Sequence, residues 1–154
     1  MNPSLSLRRA AEADQERIKQ IIHEANINPL GLDWQHFWLA ESEGMVVGTG
    51  QIKVHGDGTR ELASIAVIPS HQHQGIASLI IRTVLQDETG PVYLMCQQLH
   101  ETFYNQFNFQ VITTDQLPTS LRRINRAMRI FRPIAPLVGR EFDVIFMRRE
   151  AGSG

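Results

Sequence analysis

The sequence predicts a mixed α/β (α+β) domain, and three features predict it. Residues 34–68 alternate apolar and polar positions around two Gly-containing turns, the pattern of consecutive antiparallel strands. Residues 75–87 carry a broad apolar stripe at helical spacing, wide enough to lie on a sheet. From there to Arg148 the order runs strand, helix, strand, helix, strand. Early helices, then hairpins, then alternating elements imply a mixed sheet flanked by helices and exclude a doubly wound dinucleotide fold.

Leu5, Leu7 and Arg9 alternate with their neighbours and predict a first strand. Asp14 is placed to cap a helix whose apolar positions are Ile18, Ile21, Ile22 and Ala25. Asn26–Asp33 holds Asn, Pro and Gly and reads as a loop. Trp34–Ser42 is a helix end running into a strand, Glu43-Gly44 is a turn, and Met45–His55 is the returning strand. Gly56-Asp57-Gly58 forms a second turn before the strand Glu61–Ile68, which Pro69 stops. The helix at Gly75–Asp87 is expected to bury Ile76, Leu79, Ile80 and Val84, with Ala77, Ile81 and Leu85 on its flank. Pro91–Gln97 reads as a central strand, His100–Phe107 as a short helix, and Phe109–Ile112 and Phe142–Arg148 as strands. A further amphipathic helix is expected at about 118–132, opened by Pro118 and ended by Pro133. Leu121, Ile124, Ala127, Met128 and Phe131 share one of its faces, and Arg122, Arg126 and Arg129 the other.

At 154 residues the chain is expected to be one domain over 1–150, with 151–154 a flexible tail. Hydrophobic residues make up 42% and charged residues 20%, which is globular composition rather than that of a disordered chain. Cys96 is the single cysteine, so neither an intrachain disulfide nor a multi-cysteine zinc site can form. The polar Met1–Gln20 segment reads as no secretory leader, and no apolar run approaches the roughly 20 residues that span a bilayer. A soluble cytoplasmic protein is expected. The net charge of −1 hides an asymmetry: residues 116–154 carry 8 Arg against 3 acids, while the first 115 residues are acidic. Such a basic segment can meet an anionic partner or be a solvated face.

The stretch that carries chemistry is Glu61-Leu-Ala-Ser-Ile-Ala-Val-Ile-Pro-Ser-His-Gln-His-Gln-Gly-Ile-Ala77. A strand ends at Pro69, a short loop follows, and a helix opens at Gly75. Helix N-termini present unpaired N–H groups and the positive end of the helix dipole, so phosphate docks there. Small residues at Gly75 and Ala77 let a phosphate approach the amides. Gly75→Val is therefore expected to weaken phosphate binding while sparing the fold. The loop is neither a Walker loop, since no Gly-Lys-Ser/Thr is present, nor a dinucleotide fingerprint, since it holds one glycine.

Gln72-His73-Gln74-Gly75-Ile76-Ala77, preceded by Leu-Ala-Ser-Ile-Ala-Val-Ile-Pro, resembles the acyl-coenzyme-A motif (Gln/Arg-x-x-Gly-x-Gly/Ala) of the GNAT N-acetyltransferase superfamily. Phe103-Tyr104-Asn105-Gln106-Phe107-Asn108-Phe109 is similar to the family's Tyr-x-x-x-Gly-Phe segment, with Asn108 in place of the glycine. Asn also tolerates positive φ, so the turn survives. The resemblance covers roughly residues 5–112 and the last strand, and it leaves the arginine helix unexplained.

The resemblance implies a mostly antiparallel GNAT-like sheet, acetyl-CoA as co-substrate, and an amine acceptor attacking the thioester directly in a ternary complex. Backbone groups of Ile65, Ala66 and Val67 would pair with the pantetheine arm, and amides of Gln72, His73, Gln74, Gly75, Ile76, Ala77 and Ser78 would hold the pyrophosphate. A lysine-like ammonium is neutral in only about one part in 2,500 at pH 7, so the acceptor needs a base, a water relay or desolvation. Tyr104 stands where the family places an acid for the leaving thiolate, and a core tyrosine beside Phe103 and Phe107 is the alternative. Glu61 stands where a base acts directly or through water, and an exposed strand-end carboxylate is the alternative. Cys96 reads as a buried apolar thiol rather than an acyl carrier. His71 and His73 lie in the phosphate loop and make a poor metal site, so no metal is expected. His55 and His100 could reach the active cleft, with surface or helix-capping roles as the favoured reading. Trp34, Phe37 and Trp38 fit an acceptor wall or a core cluster equally. The acceptor is a small-molecule or peptide amine. A second copy of the chain is a further candidate partner, and nucleic acid at the Arg122/Arg126/Arg129 face a lesser one. The rival functions are a non-catalytic acyl-CoA-binding module and an RNA- or ribosome-associated acetyltransferase using the arginine helix.

Overall fold

Alternation at Leu5 and Leu7 produces the first strand as expected, β1 (Leu5–Arg9), in a computed structural model that describes residues 4–131 and 143–152. The chain forms two compact units. The first holds the described residues up to Lys53 together with Leu62–Glu88, and the second holds Val54–Glu61 and the described residues from Thr89 onward.

In the first unit β1 is followed by α1 (Gln15–Glu24), β2 (Phe37–Ser42) and β3 (Met45–Val54), then the main part of β4 (Arg60–Val67) and α2 (Ile76–Leu85). The strands lie in the order β1-β2-β3-β4. β2 pairs antiparallel with both β1 and β3, and a bulge at Ala40/Glu41 shifts the second register. Ile18, Ile21 and Ile22 of α1 bury against Phe37, Leu39, Val46 and Ala66, so the helical period and the strand period meet in one core. Ala25, expected on that face, is exposed at the C-cap. Asp14 makes no side-chain cap to α1. Its carboxylate instead takes Arg8 through both oxygens, at 2.8 and 3.0 Å, and the Ala11 N–H at 2.7 Å, because a guanidinium brings a full positive charge and a two-point fit that a helix amide does not.

α2 lies tightly over β3. A Cβ on Gly48 would stand 2.8 Å from Ile80 Cδ1, and one on Gly50 would stand 2.5 Å from Ile80 Cγ2. These two glycines are the seat on which the helix rests. The buried arc of α2 is Ile76, Ile80, Ile81, Val84 and Leu85, while Leu79 is 40% exposed. With Ile80 pressed onto the glycines, Ile81 and Leu85 rotate inward and Leu79, one step the other way, rotates out. The helix is also shorter than expected, since Gly75 caps it and Gln86 ends it.

The second unit contains the start of β4, β5 (Val92–Gln97), α3 (Glu101–Asn105), β6 (Phe109–Ile112), α4 (Thr119–Phe131) and β7 (Val144–Arg149). β5 pairs parallel with β4 at Glu61↔Tyr93 and antiparallel with β7, and β7 pairs antiparallel with β6. The sheet is thus mixed and mostly antiparallel. Leu117 and Leu121 bury against Phe146, with Tyr93, Met95, Ile112, Ile124 and Met128 packed around them. This confirms the phase of the arginine helix: Arg122, Arg126 and Arg129 are exposed, as is Arg123. Ala127, expected on the apolar face, is exposed too. The α3 helix is shorter than His100–Phe107, with Gln98–His100 a 3-10 turn before it. The expected stop at Pro133 and strand start at Phe142 lie outside the described residues, as do the Phe131 side chain and the last two residues of the tail. None of the described helices is long and apolar enough to cross a membrane.

Candidate active site

In the first unit the chain leaves β4 through a kink. Ser64 sits in mid-strand at φ 59°, a left-handed conformation rare for a residue with a Cβ, and it is buried. Such a conformation costs about 1–3 kcal/mol and persists only where its surroundings hold it. Here Thr49 Oγ1 donates to the Ser64 carbonyl at 2.8 Å. Gln51 Nε2 donates both to Ser64 Oγ at 2.8 Å and to the Gly31 carbonyl at 3.1 Å. The kink immediately precedes Ile65, Ala66 and Val67, the residues expected to meet the pantetheine arm. The Val67 carbonyl already accepts from Gln72 Nε2 at 2.9 Å. That bond staples the loop to the strand end and turns the Gln72 side chain back rather than outward.

Beyond the 3-10 turn Pro69–His71, residues Gln72, His73, Gln74 and Gly75 are all exposed. His73 has φ 62° and Gly75 φ 80°, so the backbone turns left-handed twice before α2 begins. The first bond of the helix runs from Leu79 N–H to the Gly75 carbonyl at 3.1 Å. The N–H groups of Ile76, Ala77 and Ser78 therefore precede it and have no acceptor within α2. Among the described residues nothing lies within 4 Å of where a Gly75 Cβ would stand. Open space beside helix-start amides suits a pyrophosphate. Gly75→Val is not the mild change the sequence suggested. At φ 80° a β-branched residue is strained whatever the space around it. His71 Nδ1 is 2.8 Å from Ser70 Oγ. Among the described residues no group of three or more His, Cys, Asp or Glu could hold a metal ion.

The second unit carries the titratable residues. Glu61 is not an exposed strand-end carboxylate: it is 4% exposed, and its Oε1 lies 2.8 Å from His55 Nε2. His55 itself closes the β3–β4 turn, donating its N–H to the Thr59 carbonyl at 2.9 Å. This pairing joins His55 to Glu61, and no sequence signal short of the closed turn reveals it. Within that turn Asp57 Oδ1 accepts from Thr59 N–H and Oδ2 from Ser120 N–H, each at 3.0 Å. Bonds from Thr59 and Ser120 hold the Asp57 carboxyl well below the usual carboxylate range.

Tyr104 stands on α3, half-buried, edge-on to Phe103 at 5.1 Å and to Phe109 at 6.3 Å between centroids. Burial, with Cys96 nearby, pushes its hydroxyl up to about 12. It is therefore a protonated donor at neutral pH, which suits an acid, and the aromatic packing of the alternative reading is present as well. The turn after α3 survives as expected, with Asn108 at φ 68°. Burial, then Glu101, pushes the Cys96 thiol up to about 11, and its Sγ contacts Met147 Sδ at 3.9 Å. A thiol so disposed is a poor nucleophile. Of the aromatic trio, Phe37 is a core residue, Trp34 packs on that core, and Trp38 lies beneath Arg9 at 5.3 Å.

Comparison with known proteins fits this arrangement. Residues 33–111 match the acetyltransferase (GNAT) domain model. No curated protein matches the chain. Among solved structures, N-acetylglutamate synthase from Neisseria gonorrhoeae, complexed with coenzyme A and N-acetyl-glutamate, is 17% identical at a TM-score of 0.75 over 96% of this chain. The chain spans only 35% of that protein's length. Rv2747 from Mycobacterium tuberculosis, in complex with CoA, is 22% identical, with a TM-score of 0.70 over 94% of this chain and 98% of its own. The ribosomal-protein-S18-alanine N-acetyltransferase from Escherichia coli is 15% identical, with a TM-score of 0.68 over 96% of this chain and 94% of its own. These likenesses establish the shared fold. With a domain match over half its length, the chain belongs to the GNAT acetyltransferase family.

Proposed function

We propose that the chain is an acetyl-CoA-dependent N-acetyltransferase whose acceptor amine attacks the thioester directly in a ternary complex. The observation that carries this reading is the Gln72–Gly75 loop: exposed, twice left-handed, and opening a helix whose first amides have no partner within it. Amides from Gln72 to Ser78 would hold the pyrophosphate, and backbone groups of Ile65 to Val67 the pantetheine arm. The bound co-substrate supplies the activated acetyl group. Tyr104, protonated at neutral pH, donates a proton to the departing sulfur. Glu61 and its partner His55 serve the amine side. General acid and base assistance of this kind is worth roughly 10²–10⁴-fold each.

The structures similar to this chain include enzymes named for N-acetylglutamate and for an alanine of a ribosomal protein, which supports an amine of an amino acid or peptide as acceptor. A cytoplasmic location agrees with a thioester made and used inside cells. Calorimetry with acetyl-CoA, followed by detection of CoA thiol on an amine panel of L-glutamate, spermidine and an alanine-ended peptide, tests the reading. Binding with thiol release on at least one amine is expected. Binding without release on any amine would favour a non-catalytic acyl-CoA module, and no binding would end both readings.

A further inference from the structure

We propose that the proton leaving the acceptor amine is taken by His55 at Nδ1, and that Glu61 is the positioning residue that orients this imidazole. The inference rests on the acetyl-transfer reading above. Glu61 and His55 are not equivalent members of their pair. The Glu61 side chain is 5% exposed and the His55 side chain 18%, so the ring is the more open of the two. Glu61 Oε1 faces the ring nitrogen at 2.8 Å. An ionised carboxylate can only accept, so the nitrogen facing it, Nε2, carries the hydrogen. Nδ1 is then the free lone pair, and it points away from the carboxylate across the ring.

The local fold fixes this arrangement. His55 is anchored by its backbone bond to Thr59, and Glu61 by its register against Tyr93 on β5. The other carboxylate of the turn, Asp57, is committed to Thr59 and Ser120, which leaves Glu61 as the carboxylate at Nε2. When Nδ1 gains a proton, the ring becomes an imidazolium whose Nε2–H already rests on a buried carboxylate. Glu61 stabilises that cation without itself being protonated, the role a buried carboxylate takes behind a catalytic histidine.

The protons balance. An ammonium acceptor loses two as its nitrogen forms the bond to the acetyl carbon and the carbon–sulfur bond breaks. One reaches the departing sulfur by way of Tyr104, whose hydroxyl is restored by the amine. The other is held at His55 Nδ1 and passes to water. No oxidant, metal or further reactant enters.

The test uses the whole chain. Long-range ¹H–¹⁵N correlation on ¹⁵N-labelled protein should show His55 with a protonated Nε2 and a lone pair at Nδ1; the opposite tautomer would overturn the proposal. His55→Gln keeps a donor toward Glu61 but has no basic nitrogen. With acetyl-CoA and an amine that the wild type acetylates, its turnover should fall roughly 10²–10⁴-fold with acetyl-CoA affinity unchanged. In His55→Ala, added imidazole should restore part of the lost rate, which a structural role would not allow. If His55→Ala does not fold, the Gln variant decides alone. Wild-type turnover in His55→Gln, or no imidazole rescue in a folded His55→Ala, would overturn the relay and leave acetyl transfer standing. No thiol release by the wild type on any amine would overturn both.

Discussion

Gly75 offers the sharpest separation of folding from donor binding. Its φ of 80° is left-handed, and no atom of the described residues lies within 4 Å of the position a Cβ would take. Alanine there meets no steric obstacle, so its whole effect on stability is conformational, about 1–2 kcal/mol. For a chain of this length that lowers the melting temperature by about 2–8 °C. Asparagine tolerates the left-handed region better and should lose only part of this. Binding follows a different rule. The Cβ of either residue occupies the space into which a phosphate would settle, and displacing one amide–phosphate bond removes about 1.5–3 kcal/mol, or roughly 10–150-fold in affinity. The two variants should therefore differ in thermal stability and agree in their loss of acetyl-CoA affinity. Scanning calorimetry and titration calorimetry on the same preparations measure both. A folded Gly75→Asn protein with wild-type acetyl-CoA affinity would refute the placement of the pyrophosphate at this loop.

Four other outcomes are expected. Gly48→Ala should destabilise by about 1–3 kcal/mol through the clash with Ile80, and Ile80→Val, which removes Cδ1, should recover part of it; strict additivity in a denaturant cycle would contradict the packing described. Tyr104→Phe should lower turnover with no change in acetyl-CoA affinity, and the wild type should show no loss of rate from Tyr104 ionisation until pH nears about 12, which a pH–rate profile checks. Because the folded-state pKa of Asp57 is depressed, its contribution is present above the ordinary carboxylate range and is lost as pH falls through its folded value. Asp57→Asn should hence be less stable than wild type at pH 7 and converge with it in acid, as urea titrations at several pH values would show. Replacing Arg122, Arg126 and Arg129 together with Glu should leave the melting temperature nearly unchanged, since all three are exposed; salt-sensitive RNA retention, compared before and after, tests whether that face has an anionic partner.

Most strands and helices were legible because burial imposes a period, and Ile18, Ile21 and Ile22 or the strand ending at Pro69 display it directly. The phosphate loop was legible for a related reason: Gly75 and Ala77 are local solutions to a local need. What escaped depends on partners distant in sequence. Leu79 looks as apolar as Ile80, and only the Gly48/Gly50 seat decides which of them turns inward. Asp14 has the chemistry of a cap and is drawn off by Arg8. Ser64 carries no mark of its left-handed backbone, since the residues that hold it, Thr49 and Gln51, lie on another strand. The pairing of Glu61 with His55 escaped as well, because the two face each other only once the turn between them closes.

The N-terminal amide of Ser120 in α4 is satisfied by Asp57, a residue 63 positions earlier in the chain. The start of that helix is consequently marked by Pro118 beside it but completed from far along the chain. During synthesis the β3–β4 turn leaves the ribosome well before α4 does, so the acceptor is waiting when the helix forms. Excised as a peptide, Thr119–Phe131 would lack this cap and the apolar bed beneath it, and at 13 residues it is near the length at which isolated helices are marginal in water. The native start of α4 thus depends on the closed hairpin turn, and a graft of α4 onto another scaffold would need an Asp supplied at its start.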